Sequence, residues 1–274
     1  MGKLYDALEK SQHYAVDPSP RSEEVDFEAA ESTEKKTNVS PLSLSISPTA
    51  HHLDRSLVSY FNPQSVEAEQ FRKLAATLLF QNPGNSNRCI LVTSVNKGEG
   101  KSFLTSNLAV SLARSLEEPV LLMDCDLRRS SLHTRFGFRE VPGLSDHLIK
   151  GMEIYSLIQR TAVKRLSLLP AGSKSFHSAE LLSSKRMARL LKTLKNTNRD
   201  RIILIDSPPP SATAEPVAIA SQVDGIILVV QCESTPREMV EELVKKLGRE
   251  KILGVVLNRF NRPFSAYKKY EMYQ

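Results

Sequence analysis

The chain has 274 residues, 41% of them hydrophobic and 25% charged, with a formal charge of +6 and a pI of about 9.2. This is an ordinary soluble composition, enough for one domain of about 200 residues plus something looser. No apolar run approaches the roughly 20 residues that span a bilayer, and the mild basic excess admits anionic partners without singling one out.

Residues 3–12, "KLYDALEKSQ", place Leu4, Tyr5 and Leu8 on one face of a short amphipathic helix. It reads either as a frayed terminal helix or as a docking peptide, and the region 1–14 is treated as one unit. "MGKLYDALEK" lacks the apolar h-region of a signal peptide, and Asp6 breaks the myristoylation pattern that Gly2 begins. Residues 15–59 are first acidic ("RSEEVDFEAAESTE") and then rich in Ser and Pro ("SPLSLSISP"). Too little there can offset the entropy of ordering, so a disordered linker is expected. The folded domain is expected over 60–258. It opens with a helix carrying Phe71, Leu74, Leu78 and Leu79 on one stripe and ending at Pro83-Gly84.

Six apolar runs then follow: 88–94, 119–124, 166–171, 201–206, 225–230 and 252–258. Most are continuous rather than alternating, as in strands buried on both faces of a parallel sheet. Helical patterns fall between them at about 101–116, 178–197 and 236–247. In 178–197, Leu182, Met187, Leu190, Leu191 and Leu194 form the inner face, while Lys185, Arg189, Lys192 and Lys195 face solvent. The alternation predicts a doubly wound, mostly parallel α/β domain. Cys89, Cys125 and Cys232 form no C-x-x-C pair and lie in or beside apolar runs, which points to reduced thiols in a cytoplasmic protein.

The first strand leads straight into "SVNKGEGKSF". Gly98, Gly100, Lys101 and Ser102 match the end of the phosphate-binding loop G-x-x-x-x-G-K-[ST], with Val95 at the motif's first glycine. Its glycines let backbone N–H groups turn toward phosphate oxygens, and the helix that follows adds its positive end. Lys97, Glu99 and Phe103 complete the predicted nucleotide-binding stretch. Lys101 reaches for terminal phosphates and Ser102 for Mg²⁺. Asp124 and Asp126 end one buried strand ("VLLMDCDLR") and Asp206 ends another ("RIILIDSPPP"). In an open α/β sheet those ends face the ligand crevice. ATP and Mg²⁺ are therefore the expected cofactors.

Three stretches, "TSVNKGEGKSFLTSNLA", "VLLMDCDLRRSSLH" and "IILIDSPPP", resemble those of the bacterial tyrosine kinases. The likeness runs over about 65–274. It implies ATP-dependent autophosphorylation of a C-terminal tyrosine cluster in exopolysaccharide synthesis. It also implies a membrane co-polymerase or activator as partner, self-association with the tail of one subunit in the site of another, and an opposing tyrosine phosphatase. Nucleic acid is not expected. The resemblance implies that Asp126 and Asp206 organise Mg²⁺ with Ser102, and that Asp124 orients or deprotonates the incoming tyrosine, with Lys101 on the phosphates. Tyr267, Tyr270 and Tyr273, within the 259–274 tail, are the implied acceptors. Two substitutions depart from the family pattern: Lys97 stands where Pro is frequent, and the E-x-x-R-x-x-R pattern reads Glu69, Arg72, Ala75. Arg128 is open between a phosphate, a partner and the surface, and Asn258 between adenine recognition and a turn. The alternative is a partition or positioning ATPase acting on a membrane or partner surface. Asn96 occupies the position of that family's signature lysine.

Overall fold

The computed structural model describes residues 52–80, 88–197, 200–208 and 215–260. The expected N-terminal helix, most of the linker and the tyrosine tail lie outside them. The six expected strands appear as β1 Cys89–Ser94, β2 Val120–Asp124, β4 Leu166–Leu169, β5 Ile202–Asp206, β6 Gly225–Gln231 and β7 Ile252–Asn258. A two-residue β3, Gln159–Arg160, joins them. The sheet order is β3-β4-β2-β5-β1-β6-β7. All pairings are parallel except β3–β4. β1, β2 and β5 are buried along their whole length, which explains their unbroken apolar sequence.

Side chains alternate between two apolar layers. On one face, Leu91, Met123, Ile205 and Leu228 pack beneath α5 (Leu144–Lys150), α8 (Lys185–Thr197) and α10 (Arg237–Leu247). On the other, Val92, Leu122, Leu204 and Val229 meet α3 (Lys101–Ser115) and, outside it, α2 (Val66–Phe80). Being covered on both sides, α3 buries most of its residues, including Thr105, Ser106, Asn107 and Ser111. Its small polar side chains return hydrogen bonds to their own helix, Thr105 to the Lys101 carbonyl at 2.8 Å and Ser106 to that of Ser102 at 2.6 Å.

The linker boundary moves back from residue 59. Leu53 and Leu57 are buried in the α3 layer, and α1 (Val58–Phe61) follows directly. Asn107 fastens this segment, accepting the Ser59 N–H at 3.0 Å and donating to the Ser56 carbonyl at 3.0 Å. The single helix expected over 178–197 is two, α7 (Ser178–Ser183) and α8. Ser184 between them is extended (ψ 153°), and its hydroxyl accepts the Met187 N–H at 3.1 Å, which starts a new helix. The inner face of α8 is as expected, but Lys195 pairs with Asp224 instead of standing free in solvent. Two of the thiols are buried; Cys232 is half-buried. Ala75, at the third position of the E-x-x-R-x-x-R pattern, is fully buried against the core. Glu69 and Arg72 pair with each other within α2.

Candidate active site

The loop from Val95 to Gly100 joins the carboxyl end of β1 to α3. Gly98 (φ 86°) and Gly100 (φ 99°) take left-handed conformations that a side chain strongly disfavours. No side chain caps α3, so no capping group competes for its first N–H groups at the mouth of the loop. A cleft of about 730 Å³ opens there, lined by Lys97, Gly98, Gly100, Lys101, Ser102 and Phe103. Across it stand Asp126, Arg128, Arg129, Ser131, Arg135, Phe176, Pro208 and Arg259.

Lys101 is only 8% exposed. Its Nζ donates to Ser94 Oγ at 3.0 Å, and Ser94 passes its own proton to the Asn96 carbonyl at 2.7 Å. Burial lowers the lysine's pKa, opposed by the charges of Asp206, Asp126 and Glu99. Asp206 is 2% exposed and sits beside the Thr105 hydroxyl at 3.4 Å. Burial raises its pKa to about 6 against the hydrogen bond from Ser102 and the charge of Lys101, while Asp126 pushes it further up. Asp124 lies directly opposite Asp206 in the β2–β5 register. Its pKa stands well above the ordinary range, because of burial first and the neighbouring Asp206 charge second.

The site residues separate by exposure. Lys97, Gly98, Gly100, Lys101, Ser102, Phe103 and Asp126 converge on the cleft. Glu99 turns away from it, 2% exposed, with Asn96 N–H and the Thr235 hydroxyl on its carboxylate. Asp124 is closed off behind Asp126. One oxygen accepts the Asp126 N–H at 3.0 Å and the other the Leu132 N–H at 3.3 Å. Through these two bonds the carboxylate shapes the turn that presents Asp126. Asn258 donates its side-chain amide to the Glu99 carbonyl at 2.7 Å, so it ties the end of β7 to the loop. Arg128 is fixed at the rim, donating to Ser178 Oγ at 2.9 Å and to the Phe176 carbonyl at 3.3 Å. "DLRRSS" already displayed Arg128 and Arg129 in the sequence. Arg135, Phe176 and Arg259 arrive from separate elements and carried no motif signal.

Among the described residues no cluster of three or more His, Cys, Asp or Glu side chains forms a closed metal cage. The donor set present, one serine hydroxyl and hard carboxylate oxygens, fits Mg²⁺ that takes its remaining ligands from phosphates and water. Two adjacent buried carboxylates with raised proton affinity are also the electrostatic setting that a divalent cation relieves.

The family described as CobQ/CobB/MinD/ParA nucleotide binding domain matches residues 90–273. Tyrosine-protein kinase YwqD of Bacillus subtilis is 30% identical over 223 residues, covering 81% of this chain and 92% of that protein. Tyrosine-protein kinase wzc of Salmonella typhi is 30% identical over 220 residues; the chain spans only 30% of its length. Among solved structures, the chimerical protein CapA2B2 superposes with a TM-score of 0.69 at 30% identity, covering 76% of this chain and 91% of that one. The kinase domain of Escherichia coli tyrosine kinase ETK gives 0.68 at 25% identity, with 76% and 82% covered. The septum site-determining protein MinD from Pyrococcus horikoshii, solved with Mg-ADP, gives 0.53 at 26% identity, with 66% and 76% covered.

Proposed function

Since this chain belongs to the bacterial tyrosine-protein kinases, within the CobQ/CobB/MinD/ParA nucleotide-binding family, we propose that it transfers the γ-phosphoryl group of ATP to its own C-terminal tyrosines, Tyr267, Tyr270 and Tyr273, and thereby regulates exopolysaccharide synthesis or export. The observation that carries this reading is the convergence of Lys101, Ser102 and Asp126 on one cleft, with Asp206 directly behind them, in a chain that ends in three spaced phenols.

Backbone N–H groups of the loop and the first turn of α3 hold the phosphates, and Lys101 neutralises their terminal charge. Ser102, Asp126 and Asp206 would hold Mg²⁺, which would supply neutralisation of the phosphate charge. Asp124 is a positioning residue that fixes Asp126 through the turn's backbone. A phenol has a pKa near 10 and the transition state is loose, so the proton leaves late. The rim arginines raise the local concentration of anionic substrate.

Partners follow from the same reading: a second copy that presents its tail, a membrane co-polymerase or activator, and a tyrosine phosphatase that resets the tail. No helix among the described residues is long and apolar enough to cross a membrane; in this reading the co-polymerase or activator brings the chain to the membrane's inner face. Incubation with Mg²⁺-ATP should place phosphate on the three tail tyrosines, and Lys101→Ala should abolish it. A wild-type chain that binds ATP yet stays unphosphorylated at the tail, with the activator present, would contradict the proposal and favour a partition or positioning ATPase acting on a membrane or partner surface.

A further inference from the structure

Glu99 lies inside the phosphate loop, yet its side chain is buried away from the cleft. A buried carboxylate must be met by donors, and this one is met from outside the loop as well as within it. Asn96 N–H (3.0 Å) and the Thr235 hydroxyl hold the carboxylate, and the Asn258 side-chain amide holds the carbonyl of the same residue at 2.7 Å. Thr235 and Asn258 come 136 and 159 residues later in the chain. Each is itself anchored. The Thr235 N–H donates to the Gln231 carbonyl at 3.2 Å, and the Asn258 carbonyl accepts the Cys232 N–H at 2.9 Å. Gly100, the next residue, completes the contact. A Cβ there would fall 2.0 Å from Asn258 Nδ2, so the amide fills the space that the glycine leaves.

We propose that Glu99, Thr235 and Asn258 form a latch that pre-sets the phosphate loop in its nucleotide-receiving shape, making Thr235 and Asn258 positioning residues for nucleotide binding. A six-residue loop rich in glycine has many conformations, and one that must be ordered by its ligand binds more weakly than one ordered beforehand. The latch fixes the Glu99–Gly100 peptide unit from the turn after β6 and from the end of β7. β1 and α3 alone cannot do this, since they hold only the loop's two ends. Asn258 is also the last residue of β7, and Arg259 after it is left-handed (φ 59°) at the rim of the cleft. The chain therefore leaves for its tyrosine tail directly from the latch.

The inference rests on nucleotide binding at this cleft, and its test separates the two. Full-length protein is titrated with Mg²⁺-ADP by calorimetry, as wild type, Thr235→Val, Thr235→Ser, Asn258→Ala, Glu99→Gln and the Thr235→Val/Glu99→Gln pair. Thr235→Val and Asn258→Ala should each weaken binding about tenfold, the typical worth of a broken buried charge-assisted contact. Thr235→Ser should restore it. The pair should bind no more weakly than its worse member, because both changes cut one contact. In phosphoryl transfer the KM for ATP should rise with kcat nearly unchanged, and melting without nucleotide should fall by about 3–6 °C, since the tenfold effect is about 1.4 kcal/mol of contact that the nucleotide-free protein loses as well. Affinities within twofold of wild type for both Thr235→Val and Asn258→Ala, additive losses in the pair, or a fall in kcat with KM unchanged would overturn the latch. Wild type that binds no Mg²⁺-ADP would overturn the nucleotide reading along with it.

Discussion

Replacing Asp206 with Asn removes a buried negative charge and keeps the side chain's shape. In the nucleotide-free protein the carboxyl group's pKa is raised to about 6 from an ordinary 3.8, mainly by burial. A carboxyl whose folded pKa lies above its unfolded value holds its proton longer in the folded state. Stability therefore falls as pH climbs from about 4 to about 6, and the full penalty stands above that. A shift of this size corresponds to at most about 3 kcal/mol at pH 8, with roughly half of it present at pH 5. Asp206→Asn should accordingly stabilise the nucleotide-free protein at pH 8, raising its melting temperature by about 6–10 °C, and by about half as much at pH 5. The same variant should lose affinity for Mg²⁺-ATP about 10- to 100-fold, the usual consequence of removing a partner that orients metal ligands. Scanning calorimetry at the two pH values, with and without Mg²⁺-ATP, reads both effects. A variant less stable than wild type at pH 8, or one whose gain is the same at both pH values, would refute the argument that Asp206 is a strained charge awaiting a cation.

Gly100→Ala forces a Cβ onto a left-handed residue and into the Asn258 amide. It should cost about 1–3 kcal/mol of stability, measured by urea unfolding, and abolish detectable nucleotide binding. Leu191, 1% exposed on the inner face of α8, should cost about 2–5 kcal/mol on truncation to Ala without changing nucleotide affinity beyond its effect on the folded fraction. Burial pushes the Cys89 thiol up to about 12, with Asp224 adding to the shift, and Cys125 is fully buried. Native protein should therefore take up a thiol reagent at the half-buried Cys232 alone, and at all three cysteines once unfolded, as counted by intact-mass measurement.

The sequence declares its strands because a parallel sheet sandwiched between helices asks nearly every residue to be apolar, and "CILVTS", "VLLMD" and "IILID" comply up to the polar residues at their carboxyl ends. The inner face of α8 was legible for the same reason, since a helix with one wet side keeps its period. α3 shows no such period; covered on two sides, it buries Ser and Thr that hydrogen-bond within their own helix. The break at Ser184 and the two-residue β3 escaped because a serine can either continue a helix or cap one, and two residues carry no period. The phosphate loop and three aspartates were plain from their places at strand ends. Their ranking by depth was not, because the turn after β2 decides which carboxylate faces the cleft. Asp126 reaches it, and Asp124, two residues earlier, is sealed by the N–H groups of Asp126 and Leu132. Arg135, Phe176 and Arg259 meet at the rim only through the fold. The burial of Leu53 and Leu57 shows how two leucines in a polar stretch can anchor a chain segment that composition alone assigns to a linker.

The central claim is that this cleft hands a phosphoryl group to the chain's own terminal phenols. Mass spectrometry of the C-terminal peptide, after wild type and Lys101→Ala are incubated with Mg²⁺-ATP and the membrane activator, tests it most directly. The expected spectrum shows phosphate on Tyr267, Tyr270 and Tyr273 in wild type and none in the variant. An unmodified wild-type peptide from protein that binds ATP, or equal labelling in both proteins, would contradict it.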